Sequence, residues 1–188
     1  MKQTIGKDLR QRIEEVSVLI MDVDGVMTDG KIIIDDLGNE TKHFNARDGH
    51  GIKLLMRAGI EVFFLTGRKS KVVEHRAHEL GVRDVYQGSK NKGESLDRIF
   101  NEKGLSSGSV AYMGDDIVDI PVFRKVGVSV AVADASEEVM KIADYVTEKK
   151  GGDGAVREVC EMILKVQGRW ESVVSRYEID TLSGHEVS

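Results

Sequence analysis

Asp22 and Asp24 stand one residue apart in Asp22-Val23-Asp24-Gly25, directly after Val16-Ser17-Val18-Leu19-Ile20-Met21. A short, nearly continuous apolar run of this kind reads as a strand buried on both faces. Two carboxylates at the carboxyl end of such a strand are costly to desolvate unless a cation lies between them. A Mg²⁺ ion with a bound phosphate meets that need, and ligands of open α/β sheets bind outside the carboxyl ends of the strands. The plain alternative is an Asp-rich turn that ends a strand.

Two further apolar runs end in residues that can do chemistry. Residues 60–65 stop at Thr66-Gly67-Arg68, and residues 110–113 stop at Gly114-Asp115-Asp116. In one parallel sheet these ends share an edge. The carboxylates of strands one and four then form a hard-oxygen site suited to Mg²⁺. The Thr66 hydroxyl and the free amides of the turn after it can donate to phosphate oxygens. Lys92 heads a helix, where a cation meets the positive end of the helix dipole. An anion held between the two removes that conflict; otherwise Lys92 is an exposed surface lysine.

The elements that must position these residues alternate along the chain. Helices are expected at 7–15, 49–58 with Asp48 as N-cap, 70–80, 93–103, 117–125, near 136–142 and from about 154 to 167. Strands are expected at 16–21, 60–65, 82–86, 110–113, 127–133 and 145–146. Short joins between them give an α/β fold, a doubly wound, Rossmann-like parallel sheet with helices on both faces. Residues 31–35 and 40–44, around Asp36-Leu37-Gly38-Asn39, read as a protruding β-hairpin. A hairpin is marginal alone, so it must pack on something, and a neighbouring subunit is a candidate. No boundary divides the chain: residues 1–188 read as one domain, with a core at about 12–168 and a polar tail at 169–188.

Bulk properties narrow the class. The chain has 188 residues, a net charge of −5 and dispersed basic residues, so nucleic acid is not an expected partner. No apolar run approaches the ~18–20 residues of a membrane span, and the polar beginning has no signal-peptide pattern. A cytoplasmic enzyme without membrane contact is expected. Cys160 is the single cysteine; it permits no internal disulfide and reads as a core thiol. His75 and His78 are three residues apart but lack a third ligand nearby, so zinc is not expected.

Taken in order, these signals resemble the haloacid dehalogenase superfamily of phosphatases. Asp22-Val23-Asp24-Gly25 is similar to its first motif, Thr66 to its second and Lys92 to its third. Gly114-Asp115-Asp116-Ile117-Val118-Asp119 is similar to a short variant of its fourth. The resemblance implies that Asp22 is the nucleophile and Asp24 the general acid, then the base. It implies Mg²⁺ held by Asp22, the backbone carbonyl of Asp24, and Asp115. Thr66, Gly67 and Lys92 would meet the phosphoryl group. Asp116 and Asp119 either orient the surroundings of the metal or simply favour the first turn of the next helix.

The gaps between the motifs leave no room for a cap domain. Capless members of the superfamily are similar to this chain over about residues 12–168. They imply a small-molecule sugar-acid phosphate as substrate and a homotetramer with sites at subunit interfaces. Arg47, Arg68, Arg76 and His78 are the candidates for holding that substrate. Relatives acting on nine-carbon keto acids look like carrying Glu and Lys where this chain has Arg68 and His78. A guanidinium pairs two carboxylate oxygens at once, so an eight-carbon acid is expected and a nine-carbon acid is the alternative. A non-enzymatic phospho-acceptor or scaffold domain is the other alternative. Receiver domains lack an acid two residues beyond the phosphorylated Asp, so Asp24 discriminates against that form of it.

Overall fold

A computed structural model describes residues 5–177. The elements run α1 (Lys7–Glu14), β1 (Val18–Met21), β2 (Ile33–Ile34), β3 (Glu40–Thr41), α2 (Ala46–Arg57), β4 (Glu61–Leu65), α3 (Lys71–Leu80) and β5 (Asp84–Tyr86). They continue with α4 (Lys92–Lys103), β6 (Val110–Gly114), α5 (Ile120–Phe123), β7 (Val128–Ala131), α6 (Glu137–Ile142), β8 (Tyr145–Val146), α7 (Ala155–Val166) and α8 (Trp170–Val174).

Six strands form one parallel sheet in the order β5-β4-β1-β6-β7-β8. All residues of β1 and β6 are buried, because helices cover both faces and the strands need no polar side. From β1 the chain steps outward through β4 to β5. It then returns past β1 and steps the other way through β6, β7 and β8. The direction reverses between β1 and β6, which is where an open α/β sheet leaves a crevice for ligands. Helix α2 packs against α3 and α7, and α1 against α7, while α4 packs against α5. Right-handed crossovers of opposite direction put these two groups on opposite faces. No helix among the described residues is long and apolar enough to cross a membrane.

Three expectations need correction. The hairpin is shorter than its apolar spacing predicts. Only Ile33–Ile34 and Glu40–Thr41 pair, and Asp35 closes the turn by accepting the Leu37 and Asn39 amides at 2.9 and 2.8 Å. Asp48 does not cap α2. Asn45 does, with its Oδ1 accepting Arg47 N at 2.8 Å, because an Asx side chain three residues earlier offers the same acceptor. Asp48 instead lies buried against α7, accepting Arg157 N at 2.7 Å and Gly154 N at 3.2 Å. The segment 117–125 is a 3-10 turn (Ile117–Asp119) followed by the short α5, with Pro121 in its first turn. Part of the polar tail folds. Helix α8 buries Val173 and Val174, and the Tyr177 hydroxyl accepts from Arg57 Nη1 at 2.6 Å. The rest of the tail, from 178 on, lies outside the described residues.

Candidate active site

The strand register brings three reactive ends together. Met21 pairs with both Phe64 of β4 and Met113 of β6. Asp22, Thr66 and Asp115 therefore leave the sheet within one or two residues of a common level. Asp22 N continues the ladder to Met113 O at 3.0 Å. The chain then turns, with Val23 N folding back onto Asp22 Oδ1 at 2.7 Å and Gly25 at a φ of 89°. The turn is backed by residues 151–152. A Cβ on Gly151 would fall 1.7 Å from the Gly25 carbonyl oxygen, so only glycine lets these two backbones meet.

Lys92 is the first residue of α4, capped by Asn91, and it is 4% exposed. Its Nζ lies 2.7 Å from Asp22 Oδ2 and 2.6 Å from Asp119 Oδ1. Burial opposes its charge, but Asp22 and Asp119 outweigh that and hold its pKa above the ordinary lysine value. The conflict with the helix dipole is thus answered by two carboxylates.

Asp119 is fully buried and accepts from four donors: Lys92 Nζ, Tyr112 OH at 2.6 Å, Asp115 N at 3.0 Å and Asp116 N at 3.3 Å. An ionised carboxylate offers about four acceptor positions, so Asp119 is saturated by protein donors. Asp115 is the opposite case, because its Oδ1 is buried with no hydrogen-bond partner. Asp22, Asp115 and Asp119 each bring one oxygen within 4.8 Å of the others. Three carboxylates face one ammonium there, so a fully ionised cluster is doubly negative. Burial pushes Asp22 up to about 6, against the pull of Lys92. Burial, with Asp22 and Asp119 beside it, pushes Asp115 up to about 7. Hard oxygen donors, an orphaned buried oxygen and excess negative charge fit a divalent cation of the Mg²⁺ type. The free acceptors belong to Asp22 and Asp115.

A second charged cluster surrounds Asp24. Its Oδ1 accepts from Lys42 Nζ, and its Oδ2 lies 3.7 Å from Arg68 Nε. Lys42 also approaches Glu40 Oε1 at 3.3 Å, and Arg68 Nη2 donates to the same oxygen at 2.7 Å. Ser70 Oγ donates to the other Glu40 oxygen. Sequence reasoning missed Lys42. Glu40, Lys42 and Phe44 alternate with exposed Thr41 and His43, as on one strand face, but only the fold shows that this face turns inward.

The other expected residues are placed as follows. Thr66 is buried at the end of β4, its Oγ1 accepting Arg68 N at 3.4 Å, with Gly67 exposed beside it. Asp116 is exposed and caps the 3-10 turn, accepting Ile117 N at 2.7 Å. Arg76 lies between α3 and α2, over the Phe44 ring and bonded to Glu79 at 2.8 Å and Asn45 O at 3.4 Å. His78 is exposed in the last turn of α3, about 10 Å along the helix from Lys71. Neither shares a bond with the Asp22 or Asp24 cluster among the described residues. Arg47 is exposed and lines a cleft of about 570 Å³ together with Lys149 and Arg157. Asp22, Asp24, Lys92 and Asp115 are not among the residues lining that cleft.

A doubly wound parallel sheet with this acidic edge and no cap defines a class, the capless haloacid dehalogenase-like hydrolases. The profile of the haloacid dehalogenase-like hydrolases matches residues 79–159. The 3-deoxy-D-manno-octulosonate 8-phosphate phosphatase KdsC of Salmonella typhi is 48% identical over 165 residues, 88% of each chain. The solved structure of the Yersinia pestis phosphatase of that name is 44% identical, with a TM-score of 0.86 over 91% of this chain and 94% of that one. The Moraxella catarrhalis enzyme was solved in complex with a magnesium ion, a phosphate ion and a KDO molecule. It is 38% identical, with a TM-score of 0.87 over 89% of this chain and 97% of that one. The chain belongs to the 3-deoxy-D-manno-octulosonate 8-phosphate phosphatase family.

Proposed function

We propose that this protein is a Mg²⁺-dependent phosphatase. It hydrolyses 3-deoxy-D-manno-octulosonate 8-phosphate (KDO 8-phosphate) to KDO and inorganic phosphate, in the synthesis of lipopolysaccharide precursors. The observation that carries the reading is the Asp22 carboxylate, paired with Lys92 at 2.7 Å beside the unpartnered Asp115 oxygen.

Asp22, Asp115 and the backbone carbonyl of Asp24 would hold Mg²⁺. When bound, the ion supplies charge neutralisation on the phosphoryl oxygens. Each Asp22 oxygen accepts one protein hydrogen bond and keeps a free lone pair. One of them attacks phosphorus while the bond from phosphorus to the sugar oxygen breaks. Asp24 gives its proton to the departing oxygen. In the second half Asp24 takes a proton from water, and the water oxygen bonds to phosphorus. The bond between phosphorus and Asp22 then breaks, which frees phosphate and restores both carboxyl groups. Lys92, the Thr66 hydroxyl and the amide of Gly67 face the oxygens on which charge builds.

Arg68 is our choice for the sugar-acid carboxylate, because it is exposed at the rim next to Asp24. Arg47, Arg76 and His78 serve further from the phosphate. We further propose a cytoplasmic homotetramer with sites at subunit interfaces. Ile32, Ile34 and Leu37 stand exposed on the hairpin, which supports a subunit contact there. Light scattering on the purified protein tests the assembly.

The activity is tested by a panel of sugar phosphates with and without Mg²⁺. KDO 8-phosphate should release phosphate fastest, and chelation should stop it. Asp22→Asn should release none while keeping its circular dichroism. Turnover retained in that variant, or a folded wild type inert on every ester, would overturn the reading.

A further inference from the structure

Lys42 is a lysine where the fold gives it no packing reason to be. The facing arm and turn of its hairpin leave Ile32, Ile33, Ile34 and Leu37 exposed, yet the Lys42 side chain is 1% exposed. Burying an ammonium is unfavourable unless carboxylates compensate it closely. Two do: Asp24 Oδ1 accepts directly from Nζ, and Glu40 lies 3.3 Å away. The second Asp24 oxygen faces Arg68 at 3.7 Å. Each oxygen of Asp24 is thereby met by a cation, one from the hairpin and one from the β4–α3 loop. The parallel with Lys92, which holds Asp22, is direct.

Resting on the phosphatase reading above, we infer that Lys42 is the positioning residue for Asp24. It fixes the carboxyl group where it can reach the leaving oxygen and then the attacking water. Proton transfer requires heavy atoms within about 2.6–3.2 Å. Free rotation of the Asp24 side chain would move its oxygens by more than that tolerance. The hairpin therefore completes the site of its own chain.

The experiment exploits leaving groups. An alkyl phosphate needs its leaving oxygen protonated, whereas p-nitrophenolate leaves without a proton. In Lys42→Met, turnover of KDO 8-phosphate should fall by roughly 10²-fold with KM within about threefold. With p-nitrophenyl phosphate, the first step should keep its rate and the second should slow. The variant should then show a burst of one p-nitrophenol per site followed by slow turnover. Fluoroberyllate with Mg²⁺ should still form its Asp22 adduct, read by ¹⁹F resonance, because Lys42 does not touch Asp22.

Equal slowing of the burst and of both turnovers would overturn the inference, as would no slowing at all. Should Lys42→Met fail to fold, Lys42→Gln carries the same comparison. If both fail, Lys42 is a folding residue and the inference falls. The wild-type arm separates the two readings. A wild type inert on both esters sinks the phosphatase reading, while an active wild type with equal losses in the variant sinks only the role of Lys42.

Discussion

Gly25 and Asp115 fill one space: a Cβ on Gly25 would lie 2.0 Å from Asp115 Oδ2. The turn after Asp22 thus shapes the seat of a carboxylate contributed by another strand. Gly25 also holds a φ of 89°, which an L side chain adopts only with strain. Gly25→Ala should push the Asp115 carboxylate out of place. Mg²⁺ affinity, read by titration calorimetry, should fall by roughly 10–100-fold. Unchanged affinity would show that Asp115 does not need this seat.

Asp115 and Asp119 lie close enough to share a cation, yet they should not contribute alike. Asp119 already accepts four protein donors, whereas Asp115 keeps a buried oxygen free. Asp115→Asn should weaken Mg²⁺ more than Asp119→Asn does. Asp119→Asn should be the more destabilising of the two, by about 3 kcal/mol, because it breaks a buried pair with Lys92. Calorimetry and thermal unfolding of both variants check the order. The reverse order of Mg²⁺ affinities would exchange their roles.

The same crowding sets a pH dependence. Asp22 and Asp115 are raised from an ordinary 3.8 to about 6 and about 7. The folded, metal-free protein therefore binds protons that the unfolded chain has released. Stability from these groups is full below pH 4 and is lost as pH rises through 6 and 7. Glu40, Asp144 and Glu161 are held low, so their contribution changes only in more acidic solution. Metal-free Tm should be lower at pH 8 than at pH 5, by roughly 5 °C. Asp115→Asn should flatten that slope. Mg²⁺ should raise Tm more at pH 8, where the carboxylates are already ionised.

Much of this arrangement is legible in the order of residue types. Buried parallel strands write themselves as apolar runs, so the levels of Asp22, Thr66 and Asp115 follow from where β1, β4 and β6 stop. Lys92 stands out because its charge is wrong for a helix start. What is not legible depends on long-range pairing. Asp48 has every mark of a local cap, and nothing near it reveals that its partner, Arg157 N, lies 109 residues away. Asp119 reads equally as a residue orienting the metal's surroundings or as a first-turn acid, and only the packed fold brings Tyr112 and Lys92 to the same oxygen. Lys42 hides because charged residues on short hairpins are normally solvated, and its burial depends on Asp24 lying beneath it.

Arg68 provides the last prediction, because its guanidinium is engaged by Glu40 at 2.7 Å. Glu40 also takes Ser70, and these donors hold its carboxyl below the ordinary value. A substrate carboxylate meeting Arg68 must compete with that internal one for the same fork. Arg68→Ala should raise KM for KDO 8-phosphate by roughly tenfold, the loss of one charged hydrogen bond. Glu40→Gln should act in the opposite direction and lower it, since a neutral amide competes less well. Neither change should move KM for p-nitrophenyl phosphate, which has no carboxylate, by more than about twofold. Steady-state kinetics on both substrates decides the matter. If Arg68→Ala raises both KM values equally, the arginine serves the phosphate end, and another residue must hold the acid.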